Sequence, residues 1–512
     1  MKLRFDYNNM MADVIGDRGI DAGKLGENAG KIGAAFEDVL ANCGKGWQEW
    51  SELPYIDYSS LDGMIAKMSE IRKKASAFVV LGIGGSALGP ISVVQALLDM
   101  RLNEQPASAL KSAGLPKLYI EDNIDPERMH GLLGLIDLKT TYFNVITKSG
   151  ETSETLAQFL VLYDLMKKAV GKEEARKHFI ATTTIGKGTL YALAQKEGFD
   201  TYGIGPGVGG RFSVLSNVGL VPFAVMGIDI KKLLAGAKEM SEACRVSDVK
   251  KNPALMTAFL QCIAMEKGAN ISVMMPYADS LKYMSDFYCQ IWAESLGKAK
   301  DKDGKTVNVG QTPAKALGVT DQHSQVQLYT EGPYDKVVTF LAVDKFRNDV
   351  AIPSDPDIDA CDFLKGHTMG ELLNAERVAT EYALRKAGRM NFTITLPEVD
   401  EYTVGELLAY INAHGGENLT REALARQFHY HPNHINRLIR QATGMSLHHY
   451  ISETRIRRSA EYLRDTTLSI TEIAHMLSFC DSSYFSAVFQ KYTGLTPKAY
   501  RRHCCIEGEE KR

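Results

Sequence analysis

A chain of 512 residues exceeds what one hydrophobic core accommodates, and at about 150 residues per domain it predicts about three domains. Its composition, 45% hydrophobic and 24% charged, fits a soluble globular protein. The net charge of −3 argues against nucleic-acid binding only as an average. Residues 1–407 carry 45 basic and 52 acidic side chains, whereas residues 408–512 carry 14 and 10, with 8 of the 12 histidines. The start, Met1–Tyr7, lacks the apolar region of a secretory signal, and no apolar run nears the ~18 residues of a membrane span. The 8 cysteines include no CxxC pair, so reduced thiols and a cytoplasmic location are expected.

Residues 1–65 read as a helical segment, with apolar spacing at Ile32, Ala35, Phe36 and Leu40. From 66 to 215 short apolar runs alternate with helix-like stretches. Ala77–Leu81, Lys117–Ile120, Tyr142–Ile146 and His178–Thr182 are predicted strands, and Ile91–Met100 a helix. Such alternation predicts an α/β fold with a parallel sheet. A second α/β stretch, 216–407, has strand candidates at Ile271–Met275 and Val337–Val343. After Asn391–Leu396 the chain turns all-helical, and we place a further domain at 408–506.

Two loops carry chemistry. Gly82-Ile83-Gly84-Gly85-Ser86-Ala87-Leu88-Gly89 lies between strand and helix, where glycines admit a ligand to the backbone and a helix N-terminus offers amides to an anion. Its spacing also satisfies a dinucleotide fingerprint, and a turn without ligand is the plain reading. The second loop, Thr147-Lys148-Ser149-Gly150-Glu151-Thr152-Ser153-Glu154-Thr155, suits a phosphate monoester through its hydroxyls and Lys148; its plain reading is a capping box from Thr152 to Thr155. Two such loops after two strands favour a sugar phosphate over a dinucleotide.

Three further blocks follow: Gly207-Val208-Gly209-Gly210-Arg211-Phe212-Ser213-Val214-Leu215-Ser216, Trp292-Ala293-Glu294-Ser295-Leu296-Gly297-Lys298, and Gly318-Val319-Thr320-Asp321-Gln322-His323-Ser324-Gln325. With the two loops, in this order, they closely resemble the bacterial glucose-6-phosphate isomerase family over residues 1 to about 408. The resemblance implies two sugar-isomerase (SIS) parallel-sheet domains and interconversion of glucose 6-phosphate with fructose 6-phosphate through an enediolate, with no cofactor. It implies Glu294 as the base, Arg211 as the fixed positive charge, and His323 as a ring-opening histidine that serves a neighbouring subunit, hence a homodimer. Gln290 matches a sugar-contacting glutamine; Gly85, Ser86, Lys148, Ser149 and Thr152 fall at substrate and phosphate positions. Glu151 stands where the family has a small hydroxyl residue. The family pattern continues through Glu401–Leu408 and then stops: no Phe-Asp-Gln-Pro-Gly-Val-like motif with its following lysine occurs downstream.

Beyond that point one unit is written twice. Leu424-Ala425 and Thr443-Gly444-Met445-Ser446 correspond to Ile473-Ala474 and Thr493-Gly494-Leu495-Thr496, offset by 49 and then 50 residues. Each copy predicts a short helix, a turn and a second helix. In the first copy Ile435, Leu438 and Ile439 face inward, leaving Asn433, His434, Asn436, Arg437, Arg440 and Gln441 outward. In the second, Phe485, Val488 and Phe489 face inward, leaving Ser482, Ser483, Ser486, Gln490 and Lys491 outward. Amide, hydroxyl and basic groups on a helix read base edges and hold phosphates. The predicted helix between them, 446–464, spans ~28 Å, near the ~34 Å of one DNA turn. This arrangement, with Ser478–Ser486 and Gly494–Arg501, closely resembles the AraC/XylS-type DNA-binding domain over about 406–503. It implies double-stranded DNA as a partner; a helical interaction domain is the plain reading. His429, His431 and His434 lie across a predicted turn without cysteine or carboxylate partners, and we assign no metal site.

Three readings of the whole remain: an isomerase joined to a DNA reader, a regulator whose impaired isomerase-like body senses sugar phosphate or dimerises, and an accidental junction of two genes.

Overall fold

The computed structural model describes residues 1–301, 304–354, 359–414, 459, 463, 469–476, 482–493 and 495–502. These fall into two compact units, Met1–Lys300 with Val307–Ala423, and Asp301–Thr306 with Leu424–Arg512.

The first unit opens on a strand, β1 (Arg4–Asp6), where the sequence predicted helix. Three residues are too few for a periodic signal; the strand exists because Thr393–Thr395 offer an edge for antiparallel pairing. The fully buried Glu406 carboxylate completes the anchorage by accepting the Lys2 and Leu3 amides at 2.7 and 3.0 Å. Helices α1 (Ala29–Asn42) and α2 (Asp62–Lys74) then supply the expected helical character.

The next strands are β2 (Ala77–Leu81), β3 (Lys117–Glu121), β4 (Thr141–Ile146), β5 (Phe179–Thr183) and β6 (Asp200–Gly203). They form one wholly parallel sheet in the order β3-β2-β4-β5-β6. All five residues of β2 are buried, as expected of a strand covered on both faces. Each large apolar side chain so buried contributes about 1.5–3 kcal/mol. Helices α3 (Leu88–Leu97) and α4 (Ser153–Val170) follow β2 and β4. The chain order reverses between β2 and β4, so the loops leaving these two strands flank the crevice where ligands of open α/β sheets bind.

Helix α5 (Ile230–Ala243) leads to the second sheet, formed by β7 (Ile271–Pro276), β8 (Thr312–Lys315), β9 (Lys336–Lys345) and β10 (Asn391–Glu398). Its order is β1-β10-β9-β7-β8, with only β1 antiparallel. The predicted strands at 271 and 337 appear; β6, β8 and β10 were not predicted from the sequence. Helices α6 (Lys282–Leu296), α7 (Thr320–Ser324), α8 (Met369–Lys386) and α9 (Glu401–His414) complete this part. Helix α9 packs against α5 so closely that a methyl on Gly405 would strike the Leu233 carbonyl, and one on Gly236 the Tyr402 carbonyl.

In the second unit the described helices are α10 (Ile470–Met476) and α11 (Ser482–Thr493). Ser469 and Glu472 form a reciprocal cap at the start of α10, with amide contacts of 2.7 and 3.2 Å. Phe485 and Phe489 are buried, their rings 5.7 Å apart, and Phe489 meets Tyr500 at 5.4 Å. These two lie on the inward face that the sequence predicted; the side chain of Val488, the third residue of that face, lies outside the described residues. The first copy, 419–446, lies outside the described residues, as does the linking segment 446–464 apart from 459 and 463.

Candidate active site

The loop after β2 touches the 207–216 segment at Gly85. A side chain there would collide with the Gly210 carbonyl, so glycine permits the contact. Ser213 Oγ donates to the Gly210 carbonyl at 2.7 Å and stands 3.4 Å from that of Gly85. Ser86 is half-buried beside this junction. The segment presents Arg211, whose side chain is only 14% exposed.

Arg211 reaches two neighbours on α6. Its Nε donates to Ser295 Oγ at 2.9 Å, and Nη1 lies 3.4 Å from Glu294 Oε2. Gln290, one turn before Glu294 on the same helix, donates to Glu294 Oε1 at 2.9 Å. Each carboxylate oxygen of Glu294 therefore has a defined partner, while its side chain stays half-exposed to a substrate. The Gln290 Oε1 atom is buried and has no hydrogen-bond partner among the described residues. Gly84, at φ +56°, leaves room beside the Gln290 amide, where a methyl would stand 3.3 Å from Nε2.

The loop after β4 does not form the capping box that its sequence allows. Thr152 is the residue preceding α4 yet makes no cap; its hydroxyl instead meets Thr147 Oγ1 at 2.7 Å. The Thr155 hydroxyl is buried without a partner among the described residues. Ser149 Oγ accepts the Glu151 amide at 3.1 Å, and Gly150, at φ +74°, presses against Gly188. The start of α4 thus keeps amides free of side-chain caps, a suitable setting for an anion. Lys148 is half-buried, its ammonium 4.4 Å from the centre of the Trp47 ring. Burial lowers its pKa, partly offset by the negative charge of Glu49.

His323 is not joined to this cluster. It is exposed on α7, and among the described residues no hydrogen bond or ion pair links it to Glu294 or Arg211. Its neighbours are fixed instead. Gln322 binds Tyr277, Thr380 and Glu376 at 2.8, 2.9 and 2.6 Å. Burial raises the Asp321 pKa, but hydrogen bonds from Ser324, Gln325 and the Leu317 amide outweigh it and hold the carboxyl below its usual range. His323 projects from a braced helix.

Sequence reasoning missed Ser295, Trp47 and Glu49 as members of the site. Ser295 was within a recognised block but carried no signal of its own; Trp47 and Glu49 sit in a Gly/Trp-rich stretch with no motif. Asn433, Asn436, Arg437 and Arg440 lie outside the described residues, as does the side chain of Ser483. On α11, Ser482 and Ser486 are half-buried while Gln490 and Lys491 are exposed. The Ser486 hydroxyl donates to the Ser482 carbonyl at 2.7 Å.

Two α/β sheets with phosphate-type loops at a strand-order reversal and a braced Glu–Arg pair define a phosphosugar-isomerase class of protein. The chain belongs to the phosphoglucose isomerase family, whose model matches residues 67–372. A helix-turn-helix domain model matches residues 424–503, which completes an α/β fold followed by an AraC-type domain. The chain is 49% identical over 419 residues to the glucose-6-phosphate isomerase of Carboxydothermus hydrogenoformans, covering 81% of this chain and 88% of that one. It is 37% identical over 362 residues to a glucose-6-phosphate isomerase of Thermus thermophilus, covering 71% and 82%. A hypothetical protein of Thermus thermophilus has the same fold, with a TM-score of 0.71 and 31% identity over 83% of this chain and 99% of that one. A glucose-6-phosphate isomerase of Chlamydia trachomatis shares the fold at TM-score 0.66 and 20% identity, covering 86% and 92%. No helix among the described residues is long and apolar enough to cross a membrane.

Proposed function

We propose that this chain interconverts glucose 6-phosphate and fructose 6-phosphate, and that its C-terminal domain binds double-stranded DNA. The observation that carries the enzyme reading is Glu294 held between Gln290 and Arg211, with one face open. The Glu294 carboxylate takes the proton from carbon 2 of the open-chain aldose and returns it to carbon 1, while the proton of the carbon-2 hydroxyl passes to the oxygen on carbon 1. Arg211 stabilises the oxygen that becomes negative in the enediolate. Gln290 orients the base and the sugar; Gly85, Ser86, Lys148, Ser149 and Thr152 receive the phosphate. His323, exposed and unbonded to its own chain's base among the described residues, assists ring opening in the partner subunit of a homodimer. Fructose 6-phosphate turnover by the purified full chain tests this. Replacing Glu294 with Gln removes the base, and a loss of about 10²–10⁴-fold with retained substrate binding is expected. A Glu294→Gln protein as fast as the parent overturns the role.

A second reading has its own support: after Leu408 the sequence has neither the family's Phe-Asp-Gln-Pro-Gly-Val-like motif nor its lysine. In that reading the isomerase body binds sugar phosphate without turnover and informs the DNA reader. Calorimetry with fructose 6-phosphate separates the two, since binding without turnover favours the sensor. DNA binding through the outward faces of both recognition helices, including Asn433, Asn436, Arg437, Arg440, Ser482, Ser483, Ser486, Gln490 and Lys491, predicts a salt-sensitive mobility shift.

A further inference from the structure

The turn preceding the first α/β sheet is clamped on both sides of Trp47. Gly46, at φ +52°, lies so close to Gly207 that a methyl on the latter would strike its carbonyl. Gln48 bridges Val208 in antiparallel fashion, and Glu49 accepts the Gly207 amide at 2.8 Å. The next tryptophan, Trp50, stacks on Phe212 at 4.6 Å, and Phe212 lies 4.7 Å beneath the Arg211 guanidinium. This turn therefore braces the arginine segment through Glu49 and Trp50. Trp47 itself does not serve the core, for it is 68% exposed. Its described partner is the Lys148 ammonium, 4.4 Å from the ring centre.

We propose that Trp47 is a positioning residue for the phosphate end of the site: its indole face holds the Lys148 ammonium at the 147–152 loop without neutralising it. This rests on the reading of that loop as the phosphate cradle. A carboxylate in the same place would fix the lysine equally well but cancel the charge that a phosphate needs. Among the described residues Lys148 has no carboxylate within ion-pair distance, and the acid nearest in effect, Glu49, is engaged by the Gly207 amide. An aromatic face attracts the cation through its quadrupole and leaves the full charge available to a dianion. It also covers one side of the ammonium, so a phosphate arriving from the other side meets a partly dehydrated cation, in keeping with the burial that lowers the basicity of Lys148.

The test uses the full chain and two probes, inorganic phosphate and fructose 6-phosphate, with affinities read by calorimetry. Trp47→Ala is expected to weaken both by about five- to tenfold, raising KM while kcat stays within about twofold. Trp47→Phe, which keeps an aromatic face, is expected to recover at least half of the loss. Unchanged affinities in Trp47→Ala, or a Trp47→Phe protein no better than the alanine variant, would overturn the proposal. Lys148→Ala separates this from the cradle reading. If it abolishes phosphate binding while Trp47→Ala leaves both affinities unchanged, Trp47 has no such role and the cradle stands. If Lys148→Ala binds phosphate as the parent does, the cradle reading falls and the proposal with it.

Discussion

Arg211 donates through Nε to Ser295 Oγ at 2.9 Å, and the residue it grips is the neighbour of Glu294 on the same helix. Ser295 is fully buried, so the guanidinium is tied to the interior of α6 while its Nη1 points at the carboxylate beside it. A single helix thereby sets the spacing between the proposed base and the proposed positive charge. Ser295→Ala removes this tether and leaves the charge. The expected outcome is a fall in kcat of about ten- to a hundredfold, since hydrogen bonds to charged groups are worth ~1.5–3 kcal/mol. Steady-state kinetics check it, with a thermal midpoint near that of the parent showing that the fold survives.

The junction of the two loops predicts an asymmetry between neighbouring glycines. Gly85→Ala places a methyl against the Gly210 carbonyl, whereas the same change at Gly210 points into open space. We expect Gly85→Ala to destabilise the protein by about 1–3 kcal/mol, the usual cost of overpacking, and to lower the affinity for sugar phosphate. Gly210→Ala is expected to unfold within about 0.5 kcal/mol of the parent. Denaturant melts of the two variants read the difference directly.

His414 predicts a pH dependence of stability. It is buried among Tyr288, Trp292 and Tyr410, with its Nδ1–H donating to the Tyr410 carbonyl at 2.6 Å. Burial pushes its pKa down from 6.5 to about 4, partly offset by that hydrogen bond. The unfolded chain therefore binds a proton below pH 6.5 that the folded chain refuses until about pH 4. The stabilising difference is complete above the unfolded value and is lost as the pH falls through this window, the loss reaching about 3 kcal/mol at its foot. Melts of His414→Gln, compared with the parent at pH 7 and pH 5, are expected to lack this share of the acid sensitivity.

Lys491 stands exposed at the end of α11, and the proposed DNA-binding reading assigns it a backbone phosphate. Lys491→Ala is expected to weaken DNA binding about uniformly across sequences and to reduce the salt slope by about one. A change confined to one base position would instead make it a base reader. Titrations at several salt concentrations against two unrelated duplexes distinguish these outcomes.

The parts of the candidate site that were legible in the sequence are those written as contiguous blocks. The loops after β2 and β4, Arg211, and the Gln290–Glu294 pair on α6 each occupy a short stretch whose local geometry follows from the chain itself. What joins them does not. The contacts of Arg211 with Ser295 and of Lys148 with Trp47 cross between elements remote in sequence, and no periodicity encodes them. The Thr152 hydroxyl illustrates the opposite failure: its sequence suits a helix cap, but Thr147 at the end of β4 competes for it and wins. Strand β1 escaped notice because three residues show no alternation, and its pairing depends on β10 near the other end of the unit.

The glycine contacts between α5 and α9 bear on how the polypeptide can be divided. Helix α9 meets α5 backbone to backbone at Gly236 and Gly405, and Leu407, Leu408, Tyr410 and Ile411 are wholly interior. It is a keel of the isomerase body, laid down last in the chain but enclosed by what precedes it. Cutting anywhere inside it would leave a trough of bare side chains along α5 and invite aggregation. An isolated isomerase fragment must keep the chain through His414, and an isolated DNA-binding fragment has to begin beyond it.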